Sequence, residues 1–413
     1  MNAVSSASTT KVAPPVRRAA LVFIFFTVML DMLAFGVIIP VLPQLIEAFL
    51  GGDLGRAALW VGLFGTVFAL GQFLFAPVQG ALSDRFGRRP VILISCLGLG
   101  LDFILLAVVN TLPLLMIGRV IAGITSASVS TAHAYIADTT APEKRAAAFG
   151  LLGAAFGLGF ILGPALGGFL GEISLRAPFW AAATLVLANF CYGLFVLPES
   201  LPAERRAARF DARRANPLGG IALLRSRPGL MGLALVQITS QLAHYVLPAV
   251  YVLYVGSRYG WSSQTIGLVL AAVGVCSVIV QAGLVRVVVP RIGERRAMLI
   301  GLVCGAAGFI IYGLAPTGAV FVAGIPIMAL WGMVSPSVQS LATRRVDPGH
   351  QGRLQGALTS LGSLAGVFGP AMFAAVFAFF ISDLAPVHLP GAAFLLAGAL
   401  LLAGAVLAER VTR

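Results

Sequence analysis

Five ionisable residues interrupt the longest apolar runs of this 413-residue chain: Asp31, Asp102, Arg119, His133 and His244. An ion at the centre of a helix in hydrocarbon costs about 2.5–3.5 kcal/mol, so each needs a partner, a wet cavity or a task. Asp31 lies ~18 Å along a helix from the start of its run, and Asp102 lies equally deep counted from Pro90. Arg119 lies ~10 Å down the next, antiparallel run, so all three can share one depth. In such a wet cluster, burial and a neighbouring guanidinium act oppositely on a carboxylate and leave its protonation sensitive to access and cargo. Proton-coupled exchange is the chemistry this suits, with Asp31, Asp102 and Arg119 as its candidates and Arg119 equally readable as their counter-ion.

A second group is uncharged. Gln237, Gln241 and His244, spaced by four and three residues beside Tyr245, share one helical face. They read either as hydrogen-bonding partners for cargo in a central cavity or as a buried packing triad. With Asp31, Arg119 and Trp331 they make the candidate substrate-binding set. His133, near the end of the fourth run, reads as structural. Cys96, Cys191, Cys276 and Cys304 stand singly in apolar runs and read as small core residues without metal or disulfide. No nucleophile triad, metal-spaced His/Cys set or phosphate loop is present, so neither enzyme, metal nor cofactor is expected.

The elements that must position these groups follow from composition. Hydrophobic residues make up 59% of the chain and charged residues 10%, against roughly 25% charged in soluble domains. Twelve apolar runs have the ~20 residues needed to cross ~30 Å of hydrocarbon. The first begins near residue 20, is too long for a signal-peptide core and lacks a small-residue exit. With both termini cytoplasmic, Arg56, Arg176 and Arg258 fall outside and Arg119 within a run, while the rest of the 28 Lys and Arg fall on the cytoplasmic side. The net charge of +13 is therefore a topology signal rather than a nucleic-acid patch.

A Pro- and Arg-rich stretch, residues 199–228, separates two halves, 1–198 (with 1–18 a flexible tail) and 229–413. A shift of 206 residues lays Arg85 and Gly87 on Arg291 and Gly293, Gly150 on Gly356, and Gly163-Pro164 on Gly369-Pro370. The expectation is an all-α membrane protein, a duplicated six-helix unit with parallel halves and the cargo path between them. Its partners are the lipid bilayer, a small molecule and protons, and it is expected to act as a monomer.

Residues 80–89 read GALSDRFGRR and residues 159–168 read GFILGPALGG. The first resembles the major facilitator signature GxLaDrxGrr. There Gly80, Asp84, Arg85, Gly87, Arg88 and Arg89, with Arg145 near the next cytoplasmic turn, are expected to form a latch. The second resembles the helix-five motif of major facilitator antiporters, with Gly159, Gly163 and Gly167 on one face beside Pro164 and Gly168. Further likeness in Asp102, GRVIAGIT (118–125), YIADTT (135–140), Arg145 and GGFLGEIS (167–174) narrows the resemblance to the tetracycline/proton antiporter subgroup.

That resemblance implies proton-driven export of a drug or amphipathic molecule from the cytoplasm across a bacterial inner membrane. It also implies that Asp31, Asp102 and Arg119 match the subgroup's aspartates of helices one and three and arginine of helix four. It thins in the second half: Ser277 and Gly305 stand where the subgroup carries a histidine and an aspartate, and Pro290 stands at the counterpart of Asp84. The alternatives are a proton symporter or facilitator for a nutrient, and a transporter-like sensor.

Overall fold

The computed structural model describes residues 16–125, 128–140, 142–206, 224, 229–346 and 351–412. Among the described residues all regular structure is helical, and eleven helices are long and apolar enough to cross a membrane. In the first half these are α1 (Val22–Phe49, opened by a turn at residues 39–41), α2 (Leu54–Phe86), α3 (Arg88–Val108), α6 (Pro142–Ile173) and α7 (Ala177–Val196). The turn in α1 falls at Pro40, whose ring removes a backbone donor.

The fourth expected span is α4 (Leu112–Thr125), too short to cross alone, with α5 (Ser128–Thr139) beyond residues 126–127. In the second half lie α8 (Leu230–Tyr259), α9 (Ser263–Ile292), α10 (Glu294–Leu314), α11 (Gly318–Thr343), α12 (Gln351–Ile381) and α13 (Ala392–Thr412). The proposed linker lies largely outside the described residues. Large apolar side chains such as Phe26, Phe169, Phe195 and Phe368 point outward, as a bilayer-embedded surface requires.

Within the first half α1 packs on α6 and α7, and α3 on α4 and α7. Within the second, α13 packs on α8 and α10. The halves join along two seams, α2 on α12 and α6 on α9.

Both seams use the same device. A methyl group on Gly62 would stand 2.9 Å from the Pro370 carbonyl oxygen, and one on Gly267 would run into the Pro164 carbonyl oxygen. The Gly-Pro pair of each half thus presents its prolyl carbonyl to a glycine of the other, which gives the internal repeat a structural meaning. Small residues admit this approach because hydrocarbon supplies no hydrophobic drive between helices and close packing must hold them.

The helix-five glycines divide their work. A Cβ on Gly159 or Gly163 would stand 2.5 Å from the Met29 or Leu33 carbonyl oxygen, and one on Gly167 would meet Val37, so this stripe seats α6 on α1. Gly168 faces Ser263 and Gly267 across the seam. At the opposite ends of the same four seam helices, Gly80, Gly150, Gly153, Gly283 and Gly356 have open space around the position of a Cβ. The halves therefore touch toward the end that carries Asp53 and Ser263, and their glycines are unopposed toward the end that carries Gly87.

Candidate functional site

The first half has a polar interior. Asp31 is 4%, Asp102 0% and Arg119 7% exposed. Asp102 accepts from the Arg119 guanidinium, and Gly118 leaves room for that carboxylate, since a Cβ there would stand 2.5 Å from Asp102 Oδ1. Asp102 Oδ1 and Arg119 Nε have no hydrogen-bond partner among the described residues. A buried pair of this kind is weak as a stabiliser, but deleting one partner costs ~3–5 kcal/mol.

Asp31 lies within electrostatic reach of Cys96 on α3. In the same layer Asn189 on α7 donates to Thr27 Oγ1 (3.2 Å) and approaches the Cys96 sulfur (3.9 Å). Thr27 in turn donates to the Phe23 carbonyl oxygen at 3.0 Å. The depth match of Asp102 with Arg119 thus becomes a contact, while Asp31 on α1 lies within reach of Cys96. Cys96 is buried, but Cys191 is exposed on α7, which corrects its reading as a core residue: it falls on a helix face that the bundle leaves outward.

Between α2, α8, α11 and α12 lies a cavity of about 280 Å³. Five glutamines line it: Gln72, Gln237, Gln241, Gln339 and Gln355, with the Tyr245 ring beside them. Gln237 donates to Ser335 Oγ (3.3 Å), and Gln339 donates to Gln355 Oε1 (2.7 Å), tying α11 to α12. The Gln237 carbonyl oxygen is buried without a partner among the described residues.

Of the candidate cargo set, only Gln237 and Gln241 line this space. His244 and Trp331 pack on each other, ring centroids 5.6 Å apart, and Trp331 Nε1 donates to Ser240 Oγ at 2.9 Å. Trp331 sits in a 3₁₀ turn, Leu330–Met333, that meets a π-helical turn, Ile279–Leu284, on α9. Asp31 and Arg119 belong to the interior of the first half. His133 stacks on Phe149 at 5.6 Å.

At the end away from the seams, the signature turn is organised by one side chain. Gly87 has φ +105° and caps α3 without a side chain, leaving the first backbone N–H groups of that helix to find other acceptors. Glu199, just past α7, supplies them: its carboxylate accepts from the N–H of Arg88 at 2.8 Å and of Arg89 at 3.2 Å. A Cβ on Gly87 would overlap that carboxylate, so glycine is required here for conformation and for space.

Arg88 is held by Asp84 at 2.6 Å and Asp138 at 3.0 Å. Arg85 lies over the Phe86 ring, and Arg89 donates to the Leu194 carbonyl oxygen. Arg145 lies in α6, and its side chain is outside the described residues. Sequence reading missed Glu199, which stood at the head of the linker; the available signal was an acidic residue directly after an apolar run that ends level with an uncapped helix.

Comparison with known proteins gives consistent results. The family model of the Major Facilitator Superfamily matches residues 24–370. The tetracycline resistance protein, class C, of Escherichia coli is 40% identical over 359 residues, covering 87% of this chain and 90% of the relative. The crystal structure of the human organic anion transporter MFSD10 (TETRAN) superposes with a TM-score of 0.70 at 28% identity, covering 96% of this chain and 100% of that one. An inward-facing bacterial homologue of the human lysosomal transporter Spinster superposes with a TM-score of 0.79 at 18% identity, covering 97% and 98%, a likeness of fold.

Proposed function

From its membership of the Major Facilitator Superfamily, a family to which this chain belongs, we propose that the protein exports a drug or small amphipathic molecule in exchange for protons by alternating access, with tetracycline-like cargo the nearest precedent. The observation that carries this reading is the one-ended seam. The two halves press glycine to prolyl carbonyl at one end, part at the other, and hold a polar cavity between them. Identity of 40% to a tetracycline resistance protein over most of both chains supports export of a drug.

In this reading the chain crosses a bacterial inner membrane twelve times, with α4 and α5 as the fourth span and both termini cytoplasmic, and it works as a monomer. The open end then faces the cytoplasm. The bilayer, the cargo and protons are its partners.

Asp31, Asp102 and Arg119 carry the coupling, with Arg119 fixing Asp102 as its ion-pair partner. Gln237 and Gln241 meet the cargo. Asp84, Arg88 and Asp138 with Glu199 form the cytoplasmic latch. Rocking the halves about the cavity would close the open end and bring the unopposed glycines together.

The test is transport by reconstituted protein. An imposed proton gradient drives tetracycline counterflow in proteoliposomes, and Asp31→Asn leaves exchange that no longer responds to the gradient. Gradient-independent movement in wild type and variant alike removes the reading. Cargo uptake that follows inward proton flow would favour a nutrient symporter instead.

A further inference from the structure

We propose that the cavity selects an uncharged, multiply hydrogen-bonding cargo, and that charge is confined to a separate site inside the first half. This rests on the export reading and specifies its substrate class.

Five primary amides converge on the cavity from four different helices, with Gln72 on α2, Gln237 and Gln241 on α8, Gln339 on α11 and Gln355 on α12, so that the lining spans both halves. Each amide offers two donors and an acceptor with two lone pairs, so together they match a molecule whose own groups alternate between hydroxyl, amide and carbonyl. The Gln339–Gln355 bond uses one donor and one acceptor, and Gln237 spends one donor on Ser335. The remaining valences stay available, and the buried Gln237 carbonyl oxygen has no partner among the described residues. A buried acceptor in that condition is stabilised by any ligand that brings a donor.

Among the described residues no charged side chain lines the cavity. Asp31 and the Asp102–Arg119 pair lie in the interior of the first half. A permanent ion seated in the cavity would give up part of its water without meeting a counter-charge, whereas a neutral polar molecule exchanges water hydrogen bonds for amide ones. Sites built from hydrogen bonds also discriminate sharply, because an analogue that lacks the matching groups covers the amides and leaves them unpaired. Export of a neutral molecule against protons moves net charge in every cycle, so such an exchange responds to membrane potential.

Equilibrium binding to the full-length protein in detergent micelles tests the assignment without any gradient, so it can fail or succeed independently of proton coupling. The probes are chloramphenicol, an uncharged amide diol, and ethidium, a permanent cation of similar mass. Chloramphenicol is expected to bind at least tenfold more tightly than ethidium. Gln241→Leu and Gln355→Leu should each weaken it tenfold or more, and Gln241→Glu should reverse the preference, with every variant eluting as the same monodisperse peak. The proposal is overturned by wild-type ethidium affinity equal to or above that for chloramphenicol, by chloramphenicol affinity unchanged in both leucine variants, or by no chloramphenicol binding at all. Gradient-driven transport that fails while binding follows the expected order would count against the coupling reading alone.

Discussion

The two halves share a sequence register and differ in chemistry. The 206-residue shift carries Asp31 to Gln237, Asp102 to Gly308 and Arg119 to Ile325. A buried carboxylate in one half is replaced by an amide lining the cavity in the other. At the turn between the second and third spans of each half, the shift carries Arg88 to Glu294 and Asp138 to Arg344. Both pairs form ion pairs, with their signs exchanged. Among the described residues the buried carboxylates and guanidinium therefore stand in the first half only. An ion pair at a helix end tolerates reversal because its worth depends on opposite sign and reach, whereas a buried carboxylate has no substitute in an amide that cannot titrate.

The largest asymmetry to break is the Asp102–Arg119 pair. Arg119→Ala should lower stability by ~3–5 kcal/mol because Asp102 is left buried alone, while Ile325→Ala at the counterpart should cost ~2–5 kcal/mol by cavity formation alone. Thermal unfolding in detergent reads both, and adding Asp102→Asn should recover much of the first loss and none of the second.

A smaller effect separates the two ends of the seams. Gly62→Val meets the Pro370 carbonyl oxygen and should disrupt the α2–α12 contact by ~1–3 kcal/mol, whereas Gly356→Val projects into open space and should leave unfolding unchanged while slowing transport. Equal unfolding shifts at both positions would erase the distinction.

Smaller again is the cap on α3. Glu199→Gln should cost ~1–2 kcal/mol and raise amide exchange at Arg88 and Arg89, with no matching change at Gly293, where nothing stands close to the glycine. The least effect belongs to the exchanged ion pairs. Arg88→Glu combined with Asp138→Arg re-forms the pair with the signs of the second half and should bring thermal stability closer to wild type than either single change, to within ~1 kcal/mol when Asp84→Ala also removes the carboxylate for which the second half has Pro290. Failure of the double variant would show that Asp84 also fixes the sign at position 88.

Much of this was legible before any coordinates. Run lengths marked eleven of the helices, because hydrocarbon thickness sets a span's length. Equal depth pointed Asp102 toward Arg119 because helical rise converts residue count directly into distance. Four- and three-residue spacing placed Gln237 and Gln241 on one face.

Glu199 escaped because its partner turn lies more than a hundred residues away, and nothing local distinguishes a capping carboxylate from a linker residue. Gln72, Gln339 and Gln355 escaped because they come from separate helices, and only tertiary packing gathers them. Trp331 and His244 were expected at the cargo; a 3₁₀ turn rotates that part of α11, and the two rings pack together instead.

The glycine–carbonyl seams carry one more consequence. Surfaces with few side-chain projections are crossed by few hydrogen bonds, among them the Thr66 hydroxyl donating to the Val367 carbonyl oxygen at 2.9 Å and the Gln264 N–H donating to the Glu172 carboxylate at 3.0 Å. Two such smooth facings behave as a dry bearing rather than a clamp. Lateral pressure from the surrounding lipid then acts on the same small balance that cargo and protons act on, and membrane composition becomes a lever on how often the bearing opens.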